Sequence, residues 1–461
     1  MGKPIPKKIF VSRDISLNHL VSNVIPAFES YGDLFQLILP PLPHKIFCLR
    51  NPNHIKAVTS HEECGAIKPA HTIPKADYFM GDGVYNDLGG ETWKAKRRVL
   101  NPAFTEASSR RLSEDLPYSL EKMKARWKKH GTTSPLELYG ELQRMVLDYG
   151  AYALFSRRLT DEELDWIVEA TGFAEMMFVT LTPLWIPTPS NMKLWRIKTR
   201  FHAFMDDVIR ERRKTAEPRP DMLHTLLNTP NPVTGKPHTD EEIKAQLFSA
   251  YFGTPAVTLT ILWGAFFLST RPEILEKVRT ELKGAAGGRV VRAEDLSQLP
   301  YLDMFIKEVL RTYPSFWGSL RYAEHPIEFD GYQFPAKSIF AMIRFAAQRH
   351  PAHWENPDQF IPERHEKRNA CPHALLPFGL GPRLCLGRNL ASIMAPMAVA
   401  FIAQNFDIQM QSDKLELKYG FGIYPAHDMM ATVHPLKWPT PLEGLDFPSK
   451  TLDDAEHHSV F

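Results

Sequence analysis

The 461 residues carry 55 lysines and arginines against 53 acids, a net charge of +2, and 44% of them are hydrophobic, 11% aromatic and 23% charged. That balance belongs to an ordinary globular chain with material for a large core. It excludes disordered, collagen-like and fibrous classes, and it leaves no basic surplus for nucleic-acid binding driven by phosphate attraction.

At about 150 residues per domain, length alone suggests three domains. The 38 prolines exceed the average share while the 25 glycines do not, so the prolines mark turns and not a low-complexity tract. Cys48, Cys64, Cys371 and Cys385 form no CxxC pair, which argues against a disulfide framework and a zinc cluster.

In chain order, the start MGKPIPKKIF is basic, with early prolines and no apolar run behind it, so no secretory signal is expected. Pro6 stands where a myristoylation site needs Ser or Thr. The longest unbroken apolar runs, near 261–268 and 394–403, are shorter than the ~18 residues that span a bilayer. No membrane anchor and a cytoplasmic location are therefore expected.

Within the first 65 residues, LFQLIL and KIFCL are β-type runs between turn prolines, and they predict a small sheet. Residues 91–315 show three- and four-residue apolar spacing and read as helices. Thr239-Asp240-Glu241-Glu242 is a helix start with a capping side chain and an acidic first turn. That helix is expected to run about thirty residues, to Arg271-Pro272, and to cross the centre because it is apolar nearly all round. After 320 come extended segments (IEFDGYQFP, SIFAMI), loops, one last apolar helix and a β-like tail. From Trp438 the chain reads as a loose extension. The fold class is mainly α with a small segregated β region.

The stretch Phe378-Gly379-Leu380-Gly381-Pro382-Arg383-Leu384-Cys385-Leu386-Gly387 is a glycine-punctuated turn feeding the last apolar helix. A thiolate at that junction gains from free backbone N–H groups and the helix dipole. Gly379 and Gly381 are free to take positive φ. Gly387 lets a flat ligand lie close, and Arg383 adds a cation two residues from the sulfur. A lone cysteine is usually a small buried hydrophobe, but its neighbours here favour a ligand.

This run resembles the haem-binding signature of the cytochrome P-450 superfamily, Phe-x-x-Gly-x-Arg-x-Cys-x-Gly. The resemblance implies haem b as cofactor, with Cys385 as the axial thiolate on its iron, Arg383 at a propionate and Phe378 beside the thiolate. Three further motifs follow the family's order. Glu308-Val309-Leu310-Arg311 resembles its Glu-x-x-Arg helix, and Phe360-Ile361-Pro362-Glu363-Arg364 the segment whose arginine completes a buried triad of Glu308, Arg311 and Arg364. Trp93-Lys94-Ala95-Lys96-Arg97 resembles the Trp-x-x-x-Arg helix that reaches a propionate, and Arg321 stands where another propionate partner often lies. The implied fold is a triangular helical prism around haem. Residues 1–440 then form one catalytic domain and 441–461 an extension.

In the family the central helix usually carries Ala/Gly-Gly-x-Asp/Glu-Thr-Thr, whose acid and threonine relay protons. Here the aligned run is Ala250-Tyr251-Phe252-Gly253-Thr254-Pro255: Thr254 remains, but Gly253 replaces the acid. Pro255 should kink the helix and free the Tyr251 carbonyl for a water.

The resemblance implies a monooxygenase of secondary metabolism acting on an apolar, aromatic-compatible small molecule. Gly253 keeps open oxidative phenol coupling or peroxide-dependent oxidation, and a haem-based sensor is the non-enzymatic alternative. By position the substrate pocket would draw on Tyr78, Phe79, Phe178, Phe316, Trp317 and Phe421. Lys94, Lys96, Arg98, Arg110 and Arg111 form a basic cluster suited to an acidic donor. With no flavin or iron–sulfur sequence present, electrons are expected from a separate ferredoxin or flavodoxin with its reductase.

Overall fold

The computed structural model describes residues 9–12, 16–40, 45–60, 64–66, 74–85, 87, 89–130, 134–178, 180, 182–214, 219–367 and 369–437. The expected extension, 441–461, lies outside these described residues. The N-terminal part consists of β1 (Ile9–Val11), α1 (Leu17–Tyr31), β2 (Leu34–Ile38), β3 (Ile46–Leu49), α2 (Pro52–Ser60) and β4 (Cys64–Ala66). Helices follow: α3 (Gly90–Leu100), α4 (Glu106–Ser113), α5 (Leu116–His130), then the short β5 (Leu136–Glu137), α6 (Leu138–Phe155), α7 (Asp161–Phe178) and α8 (Pro189–Lys214). The centre holds α9 (Asp240–Tyr251), α10 (Pro255–Thr270), α11 (Pro272–Ala286) and α12 (Pro300–Thr312). Strands β6 (Ser319–Ala323), β7 (Ile327–Phe329), β8 (Tyr332–Phe334) and β9 (Ser338–Met342) precede α13 (Arg388–Asn405), and β10 (Phe406–Met410), β11 (Leu417–Tyr419), β12 (Ile423–Pro425) and β13 (Met430–Pro435) close the described chain.

The largest sheet runs β1-β2-β3-β9-β6-β4, with β3 parallel to β9 across nearly 300 residues of sequence. Both strands are continuous apolar runs, as a strand covered on two faces requires. Phe28 of α1 packs with Phe35 and Cys48 on one face; Ile55 and Val58 of α2 pack with Phe47 and Leu49 on the other. The segment IEFDGYQFP, read as extended, is a hairpin in which an Asp-Gly turn joins β7 to β8, with Asp330 and Gly331 both at positive φ.

The predicted start at Thr239 is a capping box: Thr239 accepts from the Glu242 amide while Glu242 accepts from the Thr239 amide. The thirty-residue helix is not continuous, however. It ends at Tyr251 and restarts at Pro255, whose missing N–H and fixed φ suit the first position of a new helix. α10 is buried nearly all round and approaches α13 closely at Gly264, where a Cβ would sit 2.9 Å from Val399 Cγ2. Taken as one span, Asp240–Thr270 is apolar enough to cross a membrane, which counting unbroken runs had missed. Yet 72% of its most apolar window is buried inside the protein, as befits a core helix.

Candidate active site

The loop before α13 takes its shape from two glycines. Gly379 and Gly381 have φ of 80° and 71°, a region in which side chains are strained. Gly381 also presses against α2, since a Cβ there would lie 2.3 Å from the Thr59 carbonyl oxygen. The loop closes where the Cys385 amide donates to the Phe378 carbonyl at 3.0 Å.

Cys385 thus stands at the start of α13, exposed, but into an internal cavity of about 830 Å³ that Phe378, Gly379 and Gly387 also line. Burial pushes its thiol up; the Gly387 amide, which hydrogen-bonds the sulfur, and the charges of Arg97, Arg344 and Arg388 oppose that rise. Gly387 has open space where its Cβ would be.

Arg97 on α3, Arg321 on β6, Arg344 in the one-turn helix Arg344–Ala347, and Arg383 all line this cavity. Arg97 donates to the Leu384 carbonyl at 2.7 Å and to Asn101 Oδ1 at 3.1 Å. Arg383 stacks on Trp93, its Cζ 4.1 Å from the ring centroid, and donates to the Asp87 carbonyl at 2.8 Å. The cation expected near the sulfur at Arg383 is therefore turned toward Trp93, and Arg97, Arg344 and Arg388 act on the sulfur instead. Burial, reinforced by Arg321, lowers the Arg383 and Arg344 guanidiniums to about 10. Four guanidiniums so close together suit an anionic ligand.

The opposite wall is the junction of α9 and α10, where Ala250, Gly253 and Thr254 line the cavity. Pro255 cannot donate to the Tyr251 carbonyl, but that oxygen does not await a water as expected. Thr254 supplies both its amide, at 3.1 Å, and its hydroxyl, at 2.7 Å. Gly150 of α6 backs Thr254 so closely that a Cβ would be 3.0 Å from its Cγ2.

Behind the cysteine loop, Glu308 and Arg311 are fully buried and paired through two 2.8 Å hydrogen bonds. Arg364 donates to Glu308 at 3.0 Å, the Ile361 amide also donates to Glu308, at 2.9 Å, and His365 Nε2 lies 2.9 Å from Glu308 Oε2. His365 is a member of this network that the sequence reading missed. Despite burial, these donors hold the Glu308 carboxyl down at about 2.

Of the aromatic pocket residues, Phe316, Trp317 and Phe421 line the cavity, with Phe316 and Phe421 edge to face at 5.4 Å. Trp317 Nε1 donates to the Gly420 carbonyl at 3.1 Å. Tyr78 and Phe79 do not line it. Phe79 is core, edge to face with Phe201 and Phe252 at 5.7 and 4.9 Å. Tyr78 lies under the Lys198 ammonium at 3.8 Å. Both follow from the short helix Pro74–Met80 turning that face to α8 and α9. The Phe178 side chain lies outside the described residues.

Tyr85, unforeseen, is 47% exposed, but to the cavity. Burial from bulk solvent pushes its phenol up to about 12, near Arg321. The basic cluster is largely neutralised: Lys94 pairs with Glu91, Lys96 with Asp82 and Asp87, and Arg110 with Glu106, which leaves Arg98 and Arg111 without an ion pair among the described residues.

Known proteins give this geometry a context. The family model described as Cytochrome P450 matches residues 9–425. The chain is 29% identical over 422 residues to a self-sufficient cytochrome P450 monooxygenase of Phanerodontia chrysosporium, covering 87% of this chain but 39% of that protein. A bifunctional cytochrome P450/NADPH–P450 reductase of Alternaria alternata is 28% identical, and this chain spans 34% of its length. Cyclooctat-9-en-7-ol 5-monooxygenase of Streptomyces melanosporofaciens is 26% identical, with 84% of each chain covered. The cytochrome P450DA heme domain superposes with a TM-score of 0.83 at 23% identity, over 95% of this chain and 99% of that one. A retinoic-acid-bound cyanobacterial CYP120A1 does so at 0.82 and 21%, over 94% and 100%.

The cavity's residues fit the cofactor of that fold. Haem b held through a thiolate would take a cysteine for its iron, cations for its two carboxylates and a flat space. Cys385, the arginine cradle and the open face at Gly387 offer all three.

Proposed function

Since this chain belongs to the cytochrome P450 family, whose fold binds haem b, we propose that it is a haem-thiolate monooxygenase acting on an apolar small molecule. One observation carries the reading: Cys385 opens at a helix start onto a cavity lined by four guanidiniums, those of Arg97, Arg321, Arg344 and Arg383. The monooxygenase names among its relatives support it, and the Streptomyces relative is named for oxidising cyclooctat-9-en-7-ol; a secondary metabolite is the substrate class proposed.

Haem, when bound, supplies a thiolate-ligated iron that favours O–O cleavage. Around it the chain's own groups have distinct work. Cys385 Sγ is the iron ligand, and the Gly387 amide and neighbouring arginines hold its negative charge. Arg97, Arg321 and Arg383, the last stacked on Trp93, pair with the carboxylates. Phe378 and Gly379 shape the thiolate's loop. Phe316, Trp317 and Phe421 orient an apolar substrate and exclude water. The Thr254 hydroxyl, beside Ala250 and Gly253, faces the cavity at the break in the central helix. Glu308, Arg311 and Arg364 hold the frame behind the cysteine loop. Residues 1–440 act as one catalytic domain, and electrons enter over the α3 face from a ferredoxin or flavodoxin.

A second reading has its own observation. Gly253 has no proton to give, and the Thr254 hydroxyl is committed to the Tyr251 carbonyl. General acid catalysis contributes about 10²–10⁴-fold, and oxidative coupling or peroxide-driven oxidation needs less of it. The carbon monoxide difference spectrum of the reduced protein tests the common premise: a thiolate-type band is expected, lost in Cys385→Ala. A histidine-type spectrum unchanged in that variant would overturn it. Turnover under ¹⁸O₂ then separates the two readings, because label in the product requires oxygen insertion.

A further inference from the structure

Arg344 is a half-buried cation that faces the cavity, with no ion pair to a carboxylate among the described residues. It leaves the end of β9 at the head of a one-turn helix, between the apolar runs SIFAMI and FAAQ. Its Nη1 reaches only the Pro377 carbonyl, at 3.3 Å, a long contact for a charged donor. Its Nη2 lies 3.9 Å from where a Cβ on Gly379 would stand, against the cysteine loop itself. It faces the cavity in company with Arg321 and Cys385.

Holding an unpaired guanidinium away from bulk water is unfavourable. A chain that keeps one there, next to a second cation, stores a demand for negative charge at that spot. The carbonyl of Pro377 does not meet that demand, and a neutral donor would serve it as well.

We infer that Arg344 is a haem-binding residue in its own right, a further cation of the carboxylate cradle that also stabilises charge on the cysteine sulfur. The inference rests on the haem-thiolate reading. Its chemistry is electrostatic: the positive charge pairs with a haem carboxylate and favours the reduced, thiolate-ligated state by proximity to the sulfur. No bond is made or broken.

The test uses the haem-loaded full chain with Arg344→Gln, which still donates a hydrogen bond to Pro377, and Arg344→Lys, which keeps the charge. Haem transfer to excess apomyoglobin and the midpoint potential of the iron are read beside the carbon monoxide spectrum. In Arg344→Gln haem loss is expected to accelerate about tenfold, the worth of one charge-assisted hydrogen bond, and the potential to fall. Arg344→Lys should recover most of both.

If Arg344→Gln changes only the melting midpoint, with haem loss and potential as in the parent, Arg344 is a structural donor and the inference is overturned. If Arg344→Gln does not retain haem at all, Arg344→Lys decides: retention with parental haem loss supports a charge role, and equal failure opposes it. A parent protein lacking the thiolate-type band would instead sink the haem-thiolate reading beneath it.

Discussion

Glu308 has no exposed surface, and every donor around it points at the carboxylate: Arg311 twice, Arg364, the Ile361 amide and His365. Because its carboxyl is held at about 2, below the ordinary 4.5, it contributes stability above pH 4.5 that is lost as pH falls toward 2. Glu308→Gln keeps the shape and removes the charge, leaving Arg311 buried without its partner. Breaking such a pair costs about 3–5 kcal/mol, so the urea midpoint of the variant at pH 7.5 should fall sharply and haem loading with it. A midpoint within error of the parent would show that Arg364, His365 and the backbone do not need this charge. The same contrast marks Gly381, whose positive φ and contact with Thr59 leave no room for a side chain. At these positions function and folding are held by the same atoms.

Between elements, the clearest link joins α7 to β12. The Tyr424 hydroxyl donates to Glu175 at 2.6 Å, and burial raises the Glu175 carboxyl to about 7 against that hydrogen bond. A folded-state value above the ordinary 4.5 means that the native protein holds this proton. Its stabilisation is complete below pH 4.5 and is lost as pH rises through about 7. Glu175→Gln accepts the same hydrogen bond without a charge. It should therefore stabilise the protein at pH 8, by at most about 3 kcal/mol, and the gain should shrink toward pH 5; equal gains at both would refute the assignment. The elements themselves were partly legible in the sequence. The loop of Cys385 and the Glu308–Arg311 helix could be read because their chemistry is spaced within one turn. The start at Thr239 followed from its cap; the missing N–H of Pro255 announced a kink, where the structure has a full break. What escaped depends on neighbours distant in the chain. Thr254 is backed by Gly150 of α6. Phe79 lies in the core because α8 and α9 bring Phe201 and Phe252 to it. Arg344 reads as a break in an apolar run until β6 and the cysteine loop surround it.

For the molecule as a whole, the cavity divides the protein's stability into a part that needs the cofactor and a part that does not. Two cores, one around α10 and α13 and another around α7, α8 and α9, flank it, while the sheet packs separately between α1 and α2. Removing haem leaves those cores in place but exposes an ~830 Å³ space with Arg97, Arg321, Arg344 and Arg383 on its wall. A ligand that binds only the native state stabilises it by mass action, so haem removal should lower the melting midpoint and broaden the transition. The charge pattern makes a sharper prediction. Phosphate, small enough to enter and able to bridge guanidiniums, should raise the midpoint of the haem-free protein more than chloride does at equal ionic strength. Phosphate also stabilises proteins generally by exclusion from their surfaces, and the haem-loaded protein measures that background, since its cradle is already occupied. The haem-free protein is thus expected to gain several degrees beyond the holoprotein, with the excess reduced in Arg344→Gln. Equal phosphate increments in the two forms would mean that the guanidiniums are satisfied without an anion, and the cradle would lose its part in binding the cofactor.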